Sequence, residues 1–161
     1  MQNKFDFRDV IFKQLYEIMS EDKNVILLTN DMGALGVDRI KEKFTNQFIN
    51  VGIAEQNIIG LASGLASTGY KVVVYGIISH VIFRSLEQIK LDICLPNLPV
   101  TLIGIGSGLS YGNDGPTHHA IEDIGIMRIL PNMNIFNPSD SISTKYSLSY
   151  SIKNKIPSFI R

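Results

Sequence analysis

A chain of 161 residues with 45% hydrophobic and 19% charged residues is long enough for one cored domain and too apolar to be disordered. Fifteen basic residues balance fifteen acidic ones, which excludes the electrostatic footprint of a nucleic-acid or anionic-membrane binder. A single cysteine, Cys94, rules out an internal disulfide framework, suits a reducing compartment and, in its apolar run, reads as a small buried hydrophobe.

Phe5, Val10, Ile11, Leu15, Ile18 and Met19 recur at helical spacing and predict an amphipathic first helix. Lys4, Asp6, Arg8, Asp9 and Lys13 interrupt that segment, so it does not read as a signal peptide. No run reaches the about 20 apolar residues that span a bilayer, and the expected location is the cytoplasm. Short continuous apolar runs follow at 25–28, 48–49, 72–75, 100–105, 134–136 and 158–160, as in buried parallel strands. Helical patterns lie between them, near 36–43, 55–67, 82–91, 121–129 and 139–150. The alternation predicts a three-layer α/β/α domain around a mostly parallel sheet of about six strands. Ending on a strand, the chain is expected to be covered there by a partner or to be a fragment.

Ligands of such sheets collect at the carboxyl ends of the strands. The loops expected there are 29–35, 51–55, 76–80, 106–119 and 137–140, and they hold most of the glycines and all three histidines. Read bare, Glu55 in Val51-Gly52-Ile53-Ala54-Glu55-Gln56 is an acid favoured in a first helical turn by the macrodipole. The glycines after 100–105 imitate a dinucleotide loop, yet Asp114-Gly115-Pro116 stands where a helix should open. His118 and Glu122, four apart, could ligate a metal from one helical face, with no third ligand in view. A plain turn with a helix-capping threonine is the simpler reading.

Taken together, Val51–Gln56, the Gly-Leu-Ala-Ser-Gly-Leu-Ala run after it, and Asp114-Gly115-Pro116-Thr117-His118 resemble the pyrimidine-binding domain of transketolases and of deoxyxylulose-phosphate synthases. Asp123–Met133 and Pro138-Ser139-Asp140 extend the resemblance, which covers nearly the whole chain from residue 5. It implies thiamine diphosphate as cofactor. Glu55 then meets N1′ of the aminopyrimidine ring and switches the cofactor on for transfer of a two-carbon ketol unit between sugars. Ile53 and Asp31 are implied on the cofactor side. The segment 78–90 resembles the one that carries a ring stacked on the aminopyrimidine; that ring falls on His80 or Val81, with Phe83 and Arg84 aligned beside it. Without the resemblance, the same segment reads as an amphipathic helix with Phe83 and Leu86 in the core.

The resemblance gives Asp114 and His118 the hydroxyls of the sugar donor, with His118 on the catalytic side, and gives Arg8 a substrate phosphate. His119 stands where transketolases have glutamine, Leu35 where they have a serine, and Gly106 where a histidine lines the sugar channel. The domain is expected to span 1–161, with the diphosphate-binding and C-terminal domains of the family outside it. No Gly-Asp-Gly…Asn metal motif occurs, so Mg²⁺ and the diphosphate are assigned to a partner chain, in a homodimer or heterotetramer. The alternatives are a part of a deoxyxylulose-phosphate synthase or of a 2-oxoacid dehydrogenase β-subunit, or a non-catalytic scaffold that lost the stacking ring.

Overall fold

In the computed structural model, which describes residues 6–161, the Asp6 carboxylate accepts a hydrogen bond from the Arg8 amide and opens α1 (Phe7–Glu21). Phe5, assigned to that helix from sequence, lies outside the described residues. Six strands follow: β1 (Val25–Thr29), β2 (Phe48–Asn50), β3 (Lys71–Ile77), β4 (Val100–Ile105), β5 (Asn134–Phe136) and β6 (Ser158–Ile160). They form one sheet in the order β2-β1-β3-β4-β6-β5, and every neighbouring pair is parallel.

The strand period of two sorts the core. Ile26, Leu28, Val72 and Val74 face one way, onto α3 (Glu55–Ser67) and α5 (Asp123–Arg128). Val25, Leu27, Val73 and Tyr75 face the other, onto α1, α2 (Leu35–Lys43) and α6 (Ser141–Asn154). Each of the Val, Leu and Ile side chains among these contributes about 1.5–3 kcal/mol by leaving water. Strands β1, β3 and β4 are buried on both faces, which is why they read as unbroken apolar runs. The fold is the expected three-layer α/β/α sandwich.

Several boundaries differ from expectation. The helix expected at 82–91 begins at Ser79 and runs to Cys94, as a π-helical turn (Ser79–Phe83), α4 (Leu86–Gln88) and a second π-helical turn (Ile89–Cys94). Wider turns let Val81, Ile82, Ile89, Ile93 and Cys94 all reach the core, which a regular 3.6-residue period would not. Strand β3 also keeps its ladder through Gly76 and Ile77, so His80 sits in a helical turn instead of a loop. Helix α5 starts at Asp123, leaving Glu122 outside it and off any helical face shared with His118. Helix α6 continues past residue 150 to Asn154 behind a capping box of Asp140 and Ser143. Its buried Ser147 and Ser151 hydroxyls donate to carbonyls one turn earlier, so these polar residues stay satisfied. No helix among the described residues is long and apolar enough to cross a membrane.

After β1 the chain crosses to β2 on one side, and after β2 it returns to β3 on the other. The carboxyl ends of β1 and β3 therefore border a crevice where the strand order reverses.

Candidate functional site at the carboxyl edge of the sheet

Glu55 opens α3 and is 3% exposed at the mouth of that crevice. Arg84 Nη1 donates to its Oε2 at 2.6 Å, and Asn30 Nδ2 donates to its Oε1 at 3.4 Å. The two partners differ in kind: Arg84 is half exposed, whereas Asn30 is buried at the end of β1. Gln56 Nε2 donates to the Arg84 carbonyl at 3.2 Å and ties the start of α3 to the segment after β3. Asn30 Oδ1 is buried with no protein partner. Beside it, Gly76 permits close packing: a Cβ there would overlap the Val81 side chain and lie 3.0 Å from Asn30 Oδ1.

The loops after β1 and β2 are fastened to each other by Asn50. Its Oδ1 accepts from the amides of Asp31 (2.9 Å) and Gly52 (3.0 Å), and its Nδ2 donates to Asp31 Oδ1 at 3.2 Å. Both recipients lie at positive φ, Asp31 at 62° and Gly52 at 73°. Ile53, in the same turn, is 77% exposed beside Glu55.

Farther along the edge, the His80 ring meets the His118 ring edge to face at 4.8 Å, and His118 meets Tyr111 at 5.7 Å. Burial holds His80 below the ordinary histidine pKa, and the nearby His118 and Arg84 push the same way. Glu55 and the Thr117 backbone act against them. Thr117 Oγ1 and His118 Nδ1 share a hydrogen bond of 2.9 Å. Asp114 ends an exposed 3₁₀ turn, Gly112–Asp114. Val81 is buried in the core, and Phe83 packs against it half buried. At the far end, Arg8 is chelated by Asp6 through Nε and Nη2. It also approaches the buried Tyr75 phenol, whose pKa burial pushes up to about 12.

The fold thus brings Glu55, Arg84, His80 and His118 into one row, while Asp31 is tied to Asn50 and Ile53 lies exposed in the turn before α3. Among the described residues no third His, Cys, Asp or Glu joins His118 and Glu122. A surface cavity of about 960 Å³ lies between α1 and α2, and none of the predicted site residues lines it. Sequence reading missed Asn30, Asn50 and Tyr111. It also missed the buried ion pair between Asp123 and Arg161 (2.7 Å), which joins α5 to the end of β6. Asn30 and Asn50 carried one usable signal, since Asn30 directly follows β1 and Asn50 ends β2 at the edge where ligands gather.

Compared with known families, residues 3–161 match the transketolase pyrimidine-binding domain. The chain belongs to that family. Membership implies thiamine diphosphate as the cofactor. A subunit of the apulose-4-phosphate transketolase from Phocaeicola vulgatus is 34% identical over 91% of this chain and 47% of its own length. The 1-deoxy-D-xylulose-5-phosphate synthase of Desulfotalea psychrophila is 38% identical over 96% of this chain and 24% of its own. Among solved structures, a split-gene transketolase described as an inactive β4 tetramer superposes with a TM-score of 0.85 at 31% identity, over 96% of this chain and 50% of that one. The pyrimidine-binding domain chain therefore spans half or less of the length of these relatives.

Proposed function

We propose that this chain is the pyrimidine-binding part of a thiamine-diphosphate-dependent, transketolase-like enzyme that moves a two-carbon ketol unit between sugars. The observation that carries the reading is Glu55: a nearly fully buried carboxylate at the start of α3, in the crevice between β1 and β3. The residues around it fit an aminopyrimidine ring. Asn30 offers a buried oxygen without a protein partner, beside the buried carboxylate of Glu55 to which its amide nitrogen donates.

When bound, thiamine diphosphate supplies the electron sink for cleaving and forming the carbon–carbon bond. On this chain, Glu55 holds a proton toward the ring nitrogen, while Asn30 and Arg84 orient its two oxygens. Of the two candidates for the stacking position, Val81 is packed beneath Gly76 and His80 presents the half-buried ring, so His80 is assigned to the cofactor's flank. Phe83 supports that segment from the core side, and Ile53 and Asp31 close the opposite flank. Asp114 and His118 take donor hydroxyls, and Arg8 takes the substrate phosphate.

Mg²⁺ and the diphosphate are held by a partner chain, in a pairing of two chain types or a dimer of such pairs. The relative that is itself one subunit of a transketolase and the split-gene structure support that division. The identity to deoxyxylulose-phosphate synthases supports a neighbouring reading with the same cofactor and the same role for Glu55.

Glu55→Gln in the complex reconstituted with the partner chain tests the proposal. An amide cannot share the proton, so kcat should fall by at least about 100-fold, with partner association unchanged. Full activity in that variant would overturn the catalytic reading and favour the scaffold.

A further inference from the structure

Tyr111 has a place in the site that neither its sequence context nor the proposed chemistry assigns. Gly106 follows the last residue of β4 at a φ of +82°. A Cβ on it would overlap the Tyr111 ring, which comes back over the strand end from five residues later. Two backbone hydrogen bonds between Gly108 and Ala120 (2.7 and 2.9 Å) close the base of this loop. The Asp114 amide donates to the Tyr111 carbonyl at 2.9 Å and fixes the turn above it. The ring therefore rests against the Gly106 backbone on one side and meets the His118 ring on another.

Its neighbours put it in a series. Glu55 and Arg84 act on His80, His80 packs on His118, and His118 packs on Tyr111. Arg8 and Asp114 in turn act on the Tyr111 phenol, which burial pushes above its ordinary pKa. Arg8 lines a small cavity with Gly104 and Ile105 at the end of β4, the strand end that the Tyr111 ring covers, so Tyr111 stands between His118 and the Arg8 end of the row.

We propose that Tyr111 is a specificity-determining residue of the sugar channel, meeting the carbons of a long phosphorylated ketose between its His118 end and its Arg8 end. The proposal rests on the ketol-transfer reading above. A five- to seven-carbon phosphorylated donor anchored at Arg8 must pass the phenol to reach Glu55. A three-carbon donor carrying the same ketol unit stays at the Glu55 and His118 end and does not reach it. The phenol offers one hydroxyl to a substrate hydroxyl, and the ring offers a wall against carbon branches.

The test uses the complex reconstituted with the partner chain, with Tyr111→Phe and Tyr111→Ala. Hydroxypyruvate serves as the short donor; xylulose 5-phosphate, fructose 6-phosphate and sedoheptulose 7-phosphate serve as the long ones. For the Ala variant we expect the ratio of kcat/KM for long donors to that for hydroxypyruvate to move by about tenfold or more, mainly through KM. Phe should show the part due to the hydroxyl alone, and it keeps the ring if Ala fails to fold. Ratios unchanged for every long donor in both variants would overturn the inference. Glu55→Gln run alongside separates the two readings. Hydroxypyruvate turnover that survives it overturns the ketol-transfer reading, whereas its loss together with unchanged Tyr111 ratios overturns this inference alone.

Discussion

Glu55 shows how one buried carboxylate is kept in use. Its burial would be costly for an unpaired charge, and two donors on different elements offset that cost. Because Arg84 is half exposed, water weakens its hold, and the guanidinium can swing without unfolding anything. His80 carries a pH consequence. The folded state holds its pKa below the ordinary value of about 6.5, so on acidification the unfolded chain takes up the proton first. Stability is therefore complete above that ordinary value and declines as pH falls through it. The carboxylates of Asp6, Asp22 and Asp140 are shifted downward and act only in more acidic solution. Urea midpoints should be lower at pH 5.5 than at pH 7.5, and the difference should shrink in His80→Phe. An equal drop in that variant would assign the effect to another group.

At the scale of elements, the segment after β3 is where sequence and structure part. Its apolar residues fit a helix, but the alternation of wide and regular turns is not written in any single residue; it is imposed by the core that Ile82, Ile89 and Ile93 enter. Strands β1, β3 and β4 were legible because burial on both faces makes them continuous apolar runs. Glu55 and the Asp114–His118 turn were legible as motifs. Asn30 and Asn50 were not, because each acts through a residue distant in sequence, and Tyr111 was not, because its contacts with Gly106 and His118 follow an irregular loop with no fixed spacing. Gly76 belongs to the same class: it looks like a strand interruption, yet its missing Cβ is the space between β3, the first π-helical turn and Asn30. Gly76→Ala should destabilise the chain by about 1–3 kcal/mol through overpacking, measured by chemical denaturation. Its cofactor affinity in the reconstituted complex should fall as well. Stability and affinity both at wild-type values would show that Val81 relaxes without cost.

At the scale of the molecule, the carboxyl edge of the sheet gathers the candidate site residues, while the strands beneath it are devoted to packing. The family's pyrimidine-binding domain is present here, on half or less of the length of these relatives. The purified chain should therefore show no ketol transfer with any donor, and millimolar Mg²⁺ should not restore it. Turnover should appear when a chain with a diphosphate-binding domain is added, and robust turnover by this chain alone would refute the division of labour.

The amide of Asn50 leads to a different kind of statement. By bonding both loops at once, it holds Asp31 and Gly52 in backbone conformations that would otherwise be scattered among many. The conformational entropy of that corner has already been surrendered on folding. A molecule arriving there meets a surface that does not have to be ordered first, so its contacts count toward affinity rather than toward loop closure.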